Sequence, residues 1–235
     1  MNIKSSLKLI TLSVLLASPL SFAKVYTTTD MQAVSHQAPQ MEVYKDINWV
    51  SVSDIQKQLP DHPITVGLDI DDTMLFSSPV FYRGQQKYSP GSNAYLKNQD
   101  FWNEASTGWD DFSLPKHSAL ALVNMHLAHG DTIYFITGRN APAGKETLTS
   151  TIRHLFPKDR RDQIKPVVFA GGLEKEKQLK QAGVEQYYGD SDSDITSSMH
   201  VGIKAIRFLR NEQSTYVPMP QAGKYGEPVL IGSNY

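Results

Sequence analysis

The sequence contains no cysteine. It can therefore form no disulfide, hold no zinc through thiolate and carry no lipid-modified cysteine, which excludes anchoring by that route. Net charge is equally scarce. A formal charge of -1 without a basic stripe gives no electrostatic case for a nucleic-acid polymer or an anionic membrane as partner. There is no internal repeat or low-complexity tract. None of the histidines forms an HxH or HExxH pair, so none suggests a metal centre. Surface or lid positions are expected for all of them, with His126 and His129 on the polar side of a helix. The apolar run at the N-terminus, Leu9 to Ala17, is too short and wrongly flanked for a membrane span. Lysines precede it and Pro19, Ser21 and Ala23 follow, so Met1 to Ala23 reads as a secretory signal peptide. The expected destination is the periplasm, with no membrane anchor once the signal is removed.

What is present is one ordinary globular domain: 235 residues, 40% hydrophobic and 20% charged. The stretch that organises it is Ile64 to Ser78, ITVGLDIDDTMLFSS. A buried strand cannot continue through Asp69, Asp71 and Asp72, so the acids sit where the strand stops. There the curling backbone lets Asp69 and Asp71 converge, and like charges that close need a cation between them. Mg2+ is the natural candidate, since it accepts a few carboxylates and keeps its waters.

Around this stretch the expected elements alternate. Residues 24–60 form an N-terminal arm, extended or a frayed helix over Val25 to Ala38, and a short helix opened by a capping box at Ser51 to Asp54. Strands are expected at Ile64 to Ile70, Thr132 to Ile136, Val167 to Ala170, Gln186 to Tyr188 and Lys204 to Leu209. Helices are expected at Pro115 to Ala128, Thr147 to Phe156, Glu174 to Ala182 and Asp194 to His200. This order predicts an α/β core of residues 61–76 and 113–210, built on a parallel sheet covered on both faces. Residues 77–112 are aromatic and turn-rich, with a helix within Asn98 to Ser106, and read as a small, mainly helical cap over the site. Residues 211–235 carry prolines and glycines and read as a wrapped tail within reach of a neighbouring subunit.

Ligands of open parallel sheets bind beyond the carboxyl ends of the strands. Asp69, Thr137-Gly138-Arg139 and Asp190 all lie at such ends. Without a cysteine, and with serines such as Ser77 lacking an adjacent histidine in sequence, the carboxylate of Asp69 is the best nucleophile for a phosphomonoester; it would form an aspartyl-phosphate that water cleaves. Asp71 is placed to protonate the leaving alkoxide and later to take a proton from water. Asp72 reads as a helix-cap or structural acid and Thr73 as a hydrogen-bonding brace. Thr137 offers a hydroxyl, Gly138 a close backbone approach to phosphate, and Arg139 either binds phosphate or lines the cap. A lysine is needed to neutralise the phosphate and the carboxylates, and Lys175, Lys177 and Lys180 compete for that place. Gly189 to Asp194 superficially suggests a calcium loop, but an EF-hand needs Gly where Ile195 stands.

The D-x-D-x-T pattern of Asp69 to Thr73, with ITGR and GDSDSDI downstream in that order, resembles the haloacid dehalogenase-like phosphohydrolases. Within them, the wording DIDDTMLFSSP is similar to the bacterial class B non-specific acid phosphatases, from about Trp49 to the C-terminus. The resemblance implies a three-layer, Rossmann-like core and the same roles for Asp69 and Asp71, with the Asp71 carbonyl oxygen also ligating magnesium. It implies that Lys175, with Lys177 as runner-up, is the site lysine. Asp190 would be the other direct carboxylate ligand, with Asp194 holding the metal's water or the lysine. Phe81, Tyr95, Leu96, Trp102 and Tyr216 would shape the leaving-group pocket, and the assembly would be a homotetramer. The implied activity is a Mg-dependent acid phosphatase for nucleotides and aryl phosphates that also transfers phosphate to alcohols. Two alternatives stand beside it. One is a non-catalytic periplasmic binder of metal or phosphate ligands. The other is a receiver-like phospho-acceptor domain, disfavoured because the third strand ends without an acid.

Overall fold

The computed structural model of the protein describes residues 47–235. The signal peptide of Met1 to Ala23 and the arm over Val25 to Ala38 lie outside the described residues. Within them, β1 (Trp49–Val50) leads to α1 (Val52–Lys57), whose start is fixed by Ser51 and Asp54 in the expected capping box. The central strand is β2 (Thr65–Leu68). It is followed by β3 (Leu75–Phe76), α2 (Ser78–Tyr88), α3 (Gln99–Ala105) and β4 (Leu114–Pro115). Then come α4 (His117–His129), β5 (Thr132–Thr137), α5 (Leu148–His154), β6 (Val168–Phe169) and α6 (Glu176–Ala182). The chain continues through β7 (Gln186–Gly189), α7 (Asp192–His200), β8 (Lys204–Arg207) and β9 (Val229–Leu230).

Seven strands pair in the order β1-β9-β8-β7-β2-β5-β6, every pair parallel. β5 shows why the sheet must be covered on both faces. Its Ile133 and Phe135 join the apolar core of α1, α4 and α5, while Tyr134 and Ile136 join that of α6 around Leu179 and Tyr187. Alternation along one strand therefore feeds two cores, which is the three-layer arrangement. On α4, Leu122, Val123 and Leu127 are fully buried, each contributing about 1.5–3 kcal/mol relative to exposure. From β2 the strand order runs to β5 and β6 on one side and to β7 and β8 on the other. A crevice opens at the carboxyl end of β2, where the order reverses.

Residues 77–112 hold two α-helices and two 3-10 turns, Ala94–Lys97 and Trp109–Phe112, around a separate apolar cluster that includes Phe81, Phe101 and Trp102. Pro79 in the first turn was the signal for α2, but Arg83, Gly84, Gln85 and Gln86 blur its apolar stripe. Residues 211–235 supply β9, which pairs between β1 and β8, and Asn211 Nδ2 donates to the Asn234 carbonyl at 3.0 Å. Pro115 opens no helix; it pairs with Leu75 in the short β3–β4 ladder, and α4 starts at His117.

The expectation that every histidine is peripheral fails at His126, which is fully buried. Its Nδ1–H donates to Asp131 Oδ2 at 2.6 Å and its Nε2 accepts from the Tyr188 hydroxyl at 2.8 Å. Asp131 Oδ1 also accepts from His129 Nδ1 at 2.7 Å and from the Ile64 N–H at 2.8 Å. The left-handed Gly130 turns the chain so that Asp131 folds back over the end of α4 and makes the polar burial possible. Burial pushes the Asp131 carboxyl up, but donors from His126, the Ile64 N–H and His129 outweigh it and hold the group below its ordinary value. A depressed carboxylate contributes stability above its unfolded pKa and loses it as pH falls through the folded one. Asp131→Ala is thus expected to destabilise the protein by about 3 kcal/mol at pH 7, since three donors lose their acceptor. Urea midpoints should differ less as pH falls below the usual carboxylate range. Equal midpoints at pH 7 would remove the structural role.

Candidate active site

β2 delivers Asp69 to the crevice. Its N–H still donates to the Tyr188 carbonyl at 2.8 Å, so the nucleophile candidate is fixed by the sheet, not by a free loop. The chain then turns tightly: Asp72 adopts a left-handed backbone (φ 58°), and its N–H donates to the Leu75 carbonyl at 2.7 Å. Asp72 caps no helix. Its Oδ2 accepts from Ser214 Oγ at 2.6 Å, and burial beside Asp190 pushes its pKa up to about 6. Thr73 acts as the expected brace, its hydroxyl donating to Asp190 Oδ1 at 3.2 Å.

Asp69, Asp190 and Asp194 each present a carboxylate oxygen within 4.8 Å of the others, and all three are buried. Lys175 is inserted among them: Nζ stands 2.5 Å from Asp69 Oδ1, 2.7 Å from Asp194 Oδ1 and 3.0 Å from the Tyr187 hydroxyl. Lys177 and Lys180 are exposed, so of the three it is Lys175 that the structure brings to Asp69 and Asp194. Burial alone would push its ammonium down, but Asp194 and Asp69 hold it well above its ordinary value. Asp69 moves up, because burial and the charges of Asp194, Asp190 and Asp71 outweigh Lys175. Asp194 also closes a capping box on α7, accepting from the Ser191 N–H and hydroxyl through Oδ2. Gly189 leaves room for this carboxylate, since a Cβ there would meet Asp194 Cγ at 2.3 Å. Asp190, at the end of β7, has its Oδ2 held by Arg210 Nε at 2.6 Å.

Three buried carboxylates with hard oxygen donors, their negative charge only partly balanced by Lys175 and Arg210, fit a small divalent cation. Asp69 and Asp190 are the direct candidates. Asp194 has both oxygens committed, to Lys175 and to Ser191, and serves to orient the lysine. The side chain of Asp71 is not brought into this cluster. Its two oxygens pair with Arg139, Oδ1 with Nη2 at 2.6 Å and Oδ2 with Nε at 2.8 Å.

Arg139 is buried and makes four side-chain hydrogen bonds. Beyond Asp71 it donates from Nη1 and Nη2 to Asp110 at 2.8 and 2.9 Å, and so ties the end of β5 to the Trp109–Phe112 turn of the cap. Burial pushes the guanidinium down, but Asp110 and Asp71 hold it well above its ordinary value. Burial pushes Asp71 up as well, yet the guanidinium holds it below the ordinary carboxylate range. Thr137 is buried and takes no part in the cavity wall. Its oxygen accepts the Arg139 N–H at 3.2 Å and its hydroxyl donates weakly to Asp71 at 3.4 Å. Gly138 lines the cavity; a Cβ there would press on the Gly172 carbonyl at 3.0 Å.

The cavity holds about 280 Å³. Asp69, Asp71, Lys175 and Asp190 line one part, and Phe81, Leu96, Trp102, Leu173 and Tyr216 another. Trp102 is anchored by its Nε1–H on the Leu96 carbonyl at 2.8 Å and packs on Phe101 at 4.7 Å between centroids. Tyr95 packs edge-on against Phe101, 4.9 Å between centroids, and burial together with the nearby Asp71 and Tyr216 pushes its hydroxyl up to about 12. The cap's aromatics thus serve both purposes, some as wall and some as core. Asp110 and Arg210 were not anticipated, since each is recognisable only through a partner distant in sequence.

The family model described as HAD superfamily, subfamily IIIB (Acid phosphatase), matches residues 17–219. The chain is 48% identical over 240 residues to the class B acid phosphatase of Haemophilus parainfluenzae (strain T3T1), covering 99% of this chain and 100% of that one. It is 47% identical over 201 residues to the class B acid phosphatase of Rahnella sp. (strain Y9602), covering 83% and 84%. Among solved structures, a predicted phosphoglycolate phosphatase from Haemophilus somnus has the same fold, with TM-score 0.51 and 10% identity, covering 75% of this chain and 96% of that one.

Proposed function

Because the chain belongs to the acid phosphatases of HAD subfamily IIIB, alongside the class B acid phosphatases, we propose that it hydrolyses a broad range of organic phosphomonoesters through an aspartyl-phosphate on Asp69. One observation carries this reading: the buried Asp69, at the end of the central strand, lines the cavity with Lys175 at 2.5 Å and with Asp190 and Asp194 beside it. Mg2+ is the cation proposed, held by Asp69 and Asp190, with the Asp71 carbonyl as the family resemblance implies and Asp194 behind Lys175. When bound, it would offset negative charge on the phosphoryl oxygens and the nucleophile.

The remaining steps belong to side chains. Lys175, ionised throughout, places a positive charge beside Asp69 and the incoming phosphate. The carboxylate of Asp69 attacks phosphorus, and the bond to the leaving oxygen breaks. Asp71 gives that oxygen its proton and later takes one from the water that cleaves the acyl phosphate. An alcohol in place of water would yield phosphotransfer. Arg139 keeps the Asp71 carboxylate in one orientation, joined to the cap through Asp110. The aromatic part of the cavity favours flat leaving groups, such as the base of a nucleotide or the ring of an aryl phosphate. The N-terminal segment supports export to the periplasm, and the family resemblance supports a homotetramer.

The direct test is hydrolysis of p-nitrophenyl phosphate with and without chelator. Turnover should be lost on chelation and restored by Mg2+. Activity indifferent to chelation would sink the cation assignment, and absence of hydrolysis would sink the whole reading. Trp102→Ala is expected to lower kcat/KM for p-nitrophenyl phosphate about 30-fold, the scale of about 2 kcal/mol of aromatic contact. For glycerol phosphate the loss should stay within about threefold on the same contact argument. Equal losses on both substrates would assign Trp102 to the cap's core alone.

A further inference from the structure

Arg210, on the loop that leaves β8, takes no part in the steps above, yet it is buried and fully engaged. Nε and Nη2 each lie 2.6 Å from Asp190 Oδ2. Nη1 donates to the Tyr216 carbonyl at 2.6 Å and, more weakly, to that of Pro218 at 3.4 Å. The guanidinium carbon stands 4.6 Å from the centre of the Tyr216 ring. One rigid, planar group therefore holds the carboxylate proposed to bear the cation and also backs the ring that lines the leaving-group slot. A second tie runs alongside: Ser214 Oγ donates to Asp72 Oδ2 at 2.6 Å and accepts the Tyr216 N–H at 3.1 Å. Because guanidinium donors lie in a fixed plane, Asp190 and residue 216 cannot reorient independently while both bonds persist.

We propose that Arg210 is a positioning residue that couples cation binding at Asp190 to ligand binding on Tyr216, each raising the affinity for the other. The cation bears on the Asp190 end of the guanidinium and the ring ligand on the Tyr216 end, so a ligand at one end favours the arrangement that suits the other. The coupling is reciprocal, as any linkage of binding free energies must be. The proposal rests on the phosphatase reading for the cation and the slot, and binding measurements separate the two.

The test is calorimetric titration of the full chain with Mg2+, with and without saturating adenosine, which has an aromatic ring but no phosphate to touch the cation. Adenosine should tighten Mg2+ binding at least about fivefold, and Mg2+ should tighten adenosine by the same factor. In Arg210→Lys, Mg2+ affinity should fall about 10- to 100-fold, the usual effect of losing the partner that orients a ligand, and the coupling factor should drop to about one. Ser214→Ala, which leaves the Arg210 bonds in place, should keep the coupling. A parent protein that binds Mg2+ and hydrolyses p-nitrophenyl phosphate but shows no coupling overturns this inference and leaves the functional reading intact. That measurement decides the matter even if Arg210→Lys fails to fold. Coupling that survives in a folded Arg210→Lys, or vanishes equally in Ser214→Ala, also overturns it.

Discussion

Asp69→Asn is expected to lower kcat by about 10⁴-fold or more while leaving the fold intact, the scale on which loss of a covalent nucleophile acts. The amide is nearly isosteric with the carboxylate, so the cavity keeps its shape, but a neutral amide oxygen is a poor nucleophile and cannot form the acyl phosphate. The energetics of the site predict the second half of the result. Burial and three neighbouring carboxylates already disfavour the ionised form of Asp69, so removing that charge relieves the cluster. Lys175 would still be paired with Asp194 at 2.7 Å and so would not be left as an isolated buried charge. The urea midpoint of the cation-free variant should equal or exceed that of the parent. A variant that retains turnover within tenfold of the parent would remove Asp69 from the reaction, and one that is inactive but clearly destabilised would leave its role unproved.

That Asp69 was identifiable from sequence alone has a physical cause. An apolar strand that ends in consecutive acids advertises a sheet edge facing water or a ligand, and the signal is contiguous. The choice among Lys175, Lys177 and Lys180 is of another kind. Only Lys175 stands at the turn into α6, where its backbone N–H meets Ser197 and its side chain runs back between Asp69 and Asp194. Nothing local distinguishes it from its neighbours. Asp110 is more hidden still: it lies in an aromatic stretch with no periodicity and acquires meaning through Arg139, 29 residues away. His126 misled in the opposite direction. A histidine near a helix end is usually solvated, and what buries this one is a carboxylate beyond a glycine turn together with a tyrosine hydroxyl 62 residues on. The sheet was readable from β8 across to the β6 edge and not at its other edge. β2, β5, β7 and β8 carry apolar patterns, whereas β1 and β9 are two residues each and take their pairing from one another.

Asp71→Asn should separate the two half-reactions. With glycerol phosphate, whose leaving alkoxide needs a proton, kcat is expected to fall about 10²- to 10⁴-fold, the usual contribution of a positioned acid, with no burst of product. With p-nitrophenyl phosphate the leaving phenolate departs with little help, so the first step survives. Attack of water on the aspartyl-phosphate still lacks its base. A burst of close to one equivalent of p-nitrophenol followed by slow turnover is therefore expected in a stopped-flow trace. The pH dependence follows from Arg139. Burial pushes Asp71 up, but the guanidinium wins and keeps it below the ordinary range, so the protonated form that serves as acid gains population only as pH falls. In the parent, kcat/KM for glycerol phosphate should thus rise toward acidic pH until the substrate or Asp69 titrates, and this dependence should vanish in Asp71→Asn. A parent rate that climbs steadily from pH 5 to 9 would contradict the assignment. So would an Asp71→Asn variant that slows both substrates equally without a burst, because a residue that only shapes the cavity has no reason to distinguish a phenolate from an alkoxide.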